Sequence, residues 1–114
     1  MNNKKYKTGN MKKSKKYKKT WGSKIGQDCI NLDTTLAGWL APRLKFLSKH
    51  ANGHPDQMPY EEWTKSLKEN AKKLKTYANK WDSVDWNLES ENKKHDDARE
   101  AFEWVAKWFE NLWD

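Results

Sequence analysis

Residues 95–113 read HDDAREAFEWVAKWFENLW, and the order of apolar and charged positions in this stretch decides the fold class. His95, Ala98, Phe102, Val105, Phe109 and Leu112 recur at alternating steps of three and four, the spacing that holds side chains on one face of an α-helix. Trp104, Trp108 and Trp113 widen that face, and Asp96, Asp97, Glu100, Glu103 and Glu110 supply the acids of the same helix. The pattern predicts a helix beginning around Ser90 to Asn92.

The same periodicity runs upstream. Tyr60, Trp63, Leu67, Ala71, Leu74, Ala78 and Trp81 form an apolar stripe, and Lys65, Lys68, Lys72 and Lys75 form a second stripe on the same segment. This helix is expected to start at Pro59, a residue suited to a first turn, with Glu61 and Glu62 favouring the positive end of the dipole. Residues 81–88 read as a connection. Before Pro59, Asn52-Gly53 and Pro55 mark a loop over residues 50–59. Before that loop, Leu36, Leu40, Leu44 and Leu47 share a face, with Trp39 and Phe46 beside it. Asp33 is a suitable N-cap for this first helix. Pro42 removes a backbone donor and clashes with the preceding turn, so the helix is expected to kink there or to give way to a second short helix. The seams span only three or four heptads. They predict an all-α fold, a three-helix bundle whose first helix is kinked at Pro42, with a basic middle helix packed antiparallel to an acidic last one.

The charge of the 114-residue chain is divided. The net +7 hides ten lysines and no acid in residues 1–27, against 13 basic and 16 acidic residues in 28–114. Residues 1–27 carry few apolar side chains and cannot offset the entropy of ordering. They are expected to form a disordered basic tail ahead of a helical domain spanning 28–114. The tail repeats Lys4-Lys5-Tyr6-Lys7 as Lys15-Lys16-Tyr17-Lys18. Its Lys4, Lys5, Lys7, Lys12, Lys13, Lys15, Lys16, Lys18 and Lys19 suit a nucleic acid, because lysines displace counterions from phosphates and the tyrosines offer stacking surfaces. A solubilising tail, or one folded back on the acidic body, is the plainer alternative.

Catalytic patterns are missing. There is no glycine-rich phosphate loop, no Ser/His/Asp ordering and no HExxH. His50 and His54 are spaced four apart, but Asn52-Gly53 and Pro55 argue against one helix holding both, and zinc sites show tighter ligand pairs; no metal or cofactor is expected. His95-Asp96-Asp97 diverges around a helix instead of converging on a substrate. A single cysteine, Cys29, allows no intrachain disulfide and reads as a buried or inert thiol. No apolar run approaches the ~20 residues of a membrane-spanning helix, and no membrane partner is expected.

Two groups of residues point to binding. Asp33, Trp39, Arg43 and Lys45 lie close around the expected kink, where a guanidinium beside an indole can clamp a phosphate while the ring stacks on a base. The structural alternative has Asp33 capping, Trp39 packing and Arg43 paired with an acid of the last helix. The chain also holds eight tryptophans, more than one small core needs. The surplus, taken as Trp63, Trp104, Trp108 and Trp113, is expected to form a partner-binding surface.

Leu32-Asp33, Leu40-Ala41-Pro42-Arg43-Leu44-Lys45, Gly53-His54-Pro55, Glu61-Glu62-Trp63 and the run Ala106-Lys107-Trp108-Phe109-Glu110-Asn111-Leu112-Trp113-Asp114 together resemble a set of small helical proteins encoded by tailed bacteriophages. The resemblance spans roughly residues 28–114, leaves the basic tail outside and carries no established chemistry. It implies a phage origin and, with it, a non-enzymatic accessory protein acting in the host bacterial cytoplasm. Such a protein would counter a host defence system by binding and sequestering a host protein or a nucleotide signal, with homo-oligomerisation open. A nucleic-acid-binding protein that uses the lysine-rich tail, or a minor virion component, is the alternative.

Overall fold

The computed structural model describes residues 21–82 and 86–113. It is helical throughout, with no strand among the described residues. Four α-helices follow in order: α1 (Lys24–Cys29), α2 (Leu32–His50), α3 (Tyr60–Ala78) and α4 (Leu88–Lys107), with a closing 3₁₀ turn at Phe109–Asn111. The chain divides into two compact units at positions 32 and 33.

In the first unit, α1 is a six-residue helix capped by Ser23, whose hydroxyl accepts from the Gly26 amide at 3.0 Å. The tail boundary expected at residue 27 therefore falls inside a helix. The tail lysines Lys4 to Lys19 lie outside the described residues. Between α1 and α2, Asn31 takes a left-handed φ of 63°, a conformation Asn tolerates better than most residues.

In the second unit, packing joins α2, α3 and α4. Ala37, Ala41 and Leu44 of α2, Trp63, Leu67, Ala71, Leu74 and Tyr77 of α3, and Ala98 and Ala101 of α4 form one core. Helix α2 runs antiparallel to α3. Its start meets the end of α3, where Tyr77 donates to Asp33, and beyond its end Ala51 accepts from the Tyr60 hydroxyl at 3.1 Å. Where the start of α2 meets the end of α3, a Cβ on Gly38 would sit 3.5 Å from that of Ala78. Helix α4 returns antiparallel to α3. Trp63 near the start of α3 stacks on Trp104 and meets Trp108 edge-on near the end of α4, at 5.2 and 6.0 Å between centroids. At the opposite end Tyr77 meets His95 edge-on at 5.2 Å.

Several sequence expectations shift. Helix α2 is one helix with Pro42 inside it; no second helix starts there. Asp33 lies in its first turn, not at its cap. Leu40, Leu44 and Leu47 pack as expected, but Leu36 is exposed and the small Ala37 and Ala41 take the innermost positions. In α3, Tyr77 and Asn70 are buried while Trp81, beyond the helix end, is exposed. Helix α4 starts two residues early because Asn87 caps it, accepting from the amides of Glu89 and Ser90. The α-helix ends at Lys107, and the tighter 3₁₀ turn carries Phe109 out to solvent while Leu112 still packs.

The partner-binding assignment changes most. Trp63 is 1% exposed and belongs to the core, with Trp104 and Trp108 packed against it. The antiparallel register sets these three rings together; of the four tryptophans assigned to a surface, only Trp113 is exposed.

Candidate anion-binding face

The C-terminal half of α2 and the N-terminal half of α3 enclose an open groove of about 340 Å³, lined by Lys45, Ser48, Lys49, Thr64, Lys65 and Lys68. The helical repeat makes it: Lys45 and Lys49 are one turn apart on α2, as are Thr64 or Lys65 and Lys68 on α3, and antiparallel packing brings the two turns face to face. The hydroxyls are tied to their own helices, Ser48 donating to the Lys45 carbonyl at 2.6 Å and Thr64 to that of Glu61 at 3.1 Å. None of the four lysines takes part in an ion pair among the described residues. Glu61 and Glu69 stand four residues to either side of Lys65, and neither is bonded to it. Four ammonium groups line this concave surface, none of them in an ion pair among the described residues, and gather positive charge there, although residues 28–114 as a whole are slightly acidic.

Beside the groove, the outward face of α2 carries two stacked pairs. Arg43 donates to the Trp39 carbonyl at 2.7 Å and lays its guanidinium 4.1 Å from the indole centroid. Phe46 and His50 stack at 4.3 Å. Trp39 and Phe46 remain 56% and 63% exposed. Trp39, Arg43, Phe46 and His50 follow at steps of four, three and four, a single stripe turned away from the core.

The four residues expected to form one ligand site divide into three groups. Trp39 and Arg43 are together. Lys45 faces the groove. Asp33 stands ~18 Å along the helix from Lys45, twelve residues at 1.5 Å each, and belongs to a polar cluster at the other end. There Lys80, 9% exposed, donates to the Tyr77 hydroxyl at 3.1 Å and lies 3.7 Å from the Asp33 carboxylate, with its ammonium over the rings of Tyr77 and Trp81. The Tyr77 hydrogen bond is the main influence holding the Asp33 carboxyl below the usual range; burial opposes it, and the Thr34 amide and the Lys80 charge add to it. This cluster ties the start of α2 to the end of α3. The alternative roles do not apply either: Asp33 is not a cap, Trp39 is not packed inside, and Arg43 reaches its own helix instead of an acid of α4.

Sequence reasoning missed Ser48, Lys49 and Thr64. The four-residue spacing of Lys45 and Lys49 was a signal, but nothing local says which stripe of α3 faces it. Of the expected lysine stripe, Lys65 and Lys68 line the groove, while Lys72 and Lys75 continue it beyond the groove. The ion pair joining α3 to α4 comes from Lys73, outside that stripe, with Glu100 at 3.3 Å. In the loop, His54 directs Nδ1–H at the carbonyls of Pro55 and Met58, and among the described residues no group of three His, Cys, Asp or Glu side chains could hold a metal ion. No helix among them is long and apolar enough to cross a membrane.

No protein family, curated protein or solved structure matches the chain.

Proposed function

We propose that the chain is a non-enzymatic binding protein for a phosphate-bearing ligand, a nucleotide signal or a nucleic acid, and that it acts by sequestration. The observation that carries this reading is the groove of Lys45, Lys49, Lys65 and Lys68, whose ammonium groups have no acidic partner among the described residues. Lysines present point charges that suit phosphate oxygens without demanding a fixed geometry. The scaffold on this reading is a three-helix bundle of α2, α3 and α4, with α2 bent where Pro42 leaves the Gly38 carbonyl without its helical donor. The motif resemblance to small proteins of tailed phages supports a role against a host defence system, in the host cytoplasm, where removal of a phosphate-bearing signal or strand would suffice.

The test is to purify the tagged protein from defence-active host cells, extract bound nucleotides and oligonucleotides, and identify them by mass spectrometry. A phosphate-bearing ligand is expected from the unmodified protein. A variant with Lys45, Lys49, Lys65 and Lys68 changed to Gln should yield none. Equal yield from both would refute the groove, and unchanged phage growth on defence-bearing hosts after deletion of the gene would refute the counter-defence role. The exposed aromatic stripe of α2 favours a second reading, capture of a host protein; it predicts a protein partner in pull-downs that Trp39→Ala abolishes and the lysine changes spare.

A further inference from the structure

The groove and the aromatic stripe lie on neighbouring sides of α2, and their combination points further than either alone. We infer that the ligand is a single strand of nucleic acid, with its phosphates along Lys45, Lys49, Lys65 and Lys68 and its bases stacked on Trp39 and Phe46. This rests on the phosphate-binding reading above and deepens it.

Three observations carry it. First, charge: the groove offers four lysines without acidic partners among the described residues, and Arg43 adds a cation on the adjoining face. Second, stacking surface: Trp39 and Phe46 are large flat rings, each backed by a neighbour (Arg43 and His50) and each more than half exposed. A ring backed in this way is restrained before a base arrives, which lowers the entropic cost of binding. Third, extent: Trp39 and His50 are eleven residues apart, ~16 Å along the axis, and Lys49 lies about 60° around the helix from Phe46. A mononucleotide cannot cover that length, whereas a strand can pass its backbone along the groove while turning bases onto the stripe. A positively charged groove beside aromatic platforms is the arrangement by which single strands are held without sequence readout. A duplex keeps its bases stacked inside and could use only the charge.

The test uses the full chain and three probes: oligo(dT), a DNA duplex of equal length and inorganic polyphosphate. Binding is followed by fluorescence anisotropy across a salt series, with polyphosphate as competitor. The strand should bind more tightly than the duplex. Trp39→Ala and Phe46→Ala should each weaken strand binding about tenfold while leaving polyphosphate competition unchanged. Changing the four groove lysines to Gln should weaken strand and polyphosphate alike and reduce the salt slope for the strand by about three, at ~0.7 for each phosphate no longer neutralised.

If the lysine changes act and the aromatic changes do not, phosphate binding stands and the single-strand inference is overturned. If the lysine changes leave every probe and slope unaltered, both fall. If Trp39→Ala or Phe46→Ala instead alters the sedimentation of the free protein, the stripe pairs with a second copy and the inference is overturned. Helical circular dichroism checks each variant. Should Trp39→Ala lose helicity, Phe46→Ala alone carries the stacking test.

Discussion

Trp63 and Trp39 are the same side chain in opposite settings, and the contrast sets what each substitution costs. Trp63 is buried against Trp104 and Trp108, so Trp63→Ala removes a large core group and leaves a cavity that its neighbours only partly fill. A loss of about 3–5 kcal/mol in urea unfolding is expected. Trp39→Ala on the outer face should change stability by no more than ~0.5 kcal/mol. At Asp33 the effect depends on pH. Its carboxyl, accepting from Tyr77 and lying beside Lys80, is held below the usual carboxylate range. A group with a lowered folded pKa contributes stability that is present above its unfolded value, about 3.9, and is lost as pH falls through the folded one. Thermal melts of the unmodified protein should therefore fall off below about pH 4, and Asp33→Asn should flatten that part of the profile. Because the Asp33 side chain is 54% exposed, solvent screening limits the difference near neutral pH to under ~1 kcal/mol.

At the scale of the helix, α2 carries two different demands. Its inner side puts Ala37 and Ala41 in the core and Gly38 beside Ala78 of α3, and its outer side carries Trp39, Arg43, Phe46 and His50. Gly38 has no positive φ and meets only the Ala78 Cβ at 3.5 Å, an ordinary packing distance. Glycine in a helix interior costs about 0.5–1 kcal/mol relative to alanine. Gly38→Ala should therefore raise the urea midpoint by a comparable free energy without moving the helices; a drop in stability would show that α2 and α3 have no room to yield there. Periodicity made α3 and the middle of α4 legible from sequence, because their apolar steps are regular. It misjudged α2, where Leu36 matches the leucine stripe by spacing yet faces solvent while two alanines hold the centre. It also misjudged the ends: Asn87 as a cap and the 3₁₀ turn at Phe109–Asn111 depend on local hydrogen bonds that spacing does not encode.

At the scale of the whole chain, charge is segregated. The lysines of residues 1–19 precede an acidic body in which four cations gather around the α2–α3 groove. On the proposed reading, each adds to a polyanion's affinity. Replacing Lys4, Lys5, Lys7, Lys12, Lys13, Lys15, Lys16, Lys18 and Lys19 with Gln should weaken oligonucleotide binding and lower its salt slope, by ~0.7 for each single-strand phosphate that the tail no longer neutralises. The circular dichroism of the helical body should not change. Retention of the full slope would assign all the phosphate neutralisation to the groove. The sequence by itself determined the helical class, the three long amphipathic segments and the division of charge, because helix periodicity and charge runs are properties of neighbouring residues. Tertiary structure decided which tryptophans are inside and which lysines meet. Trp63 reaches Trp104 and Trp108, and Lys45 and Lys49 face Lys65 and Lys68, only once antiparallel packing sets the register between helices. That register depends on how whole faces, distant in sequence, fit around a shared core.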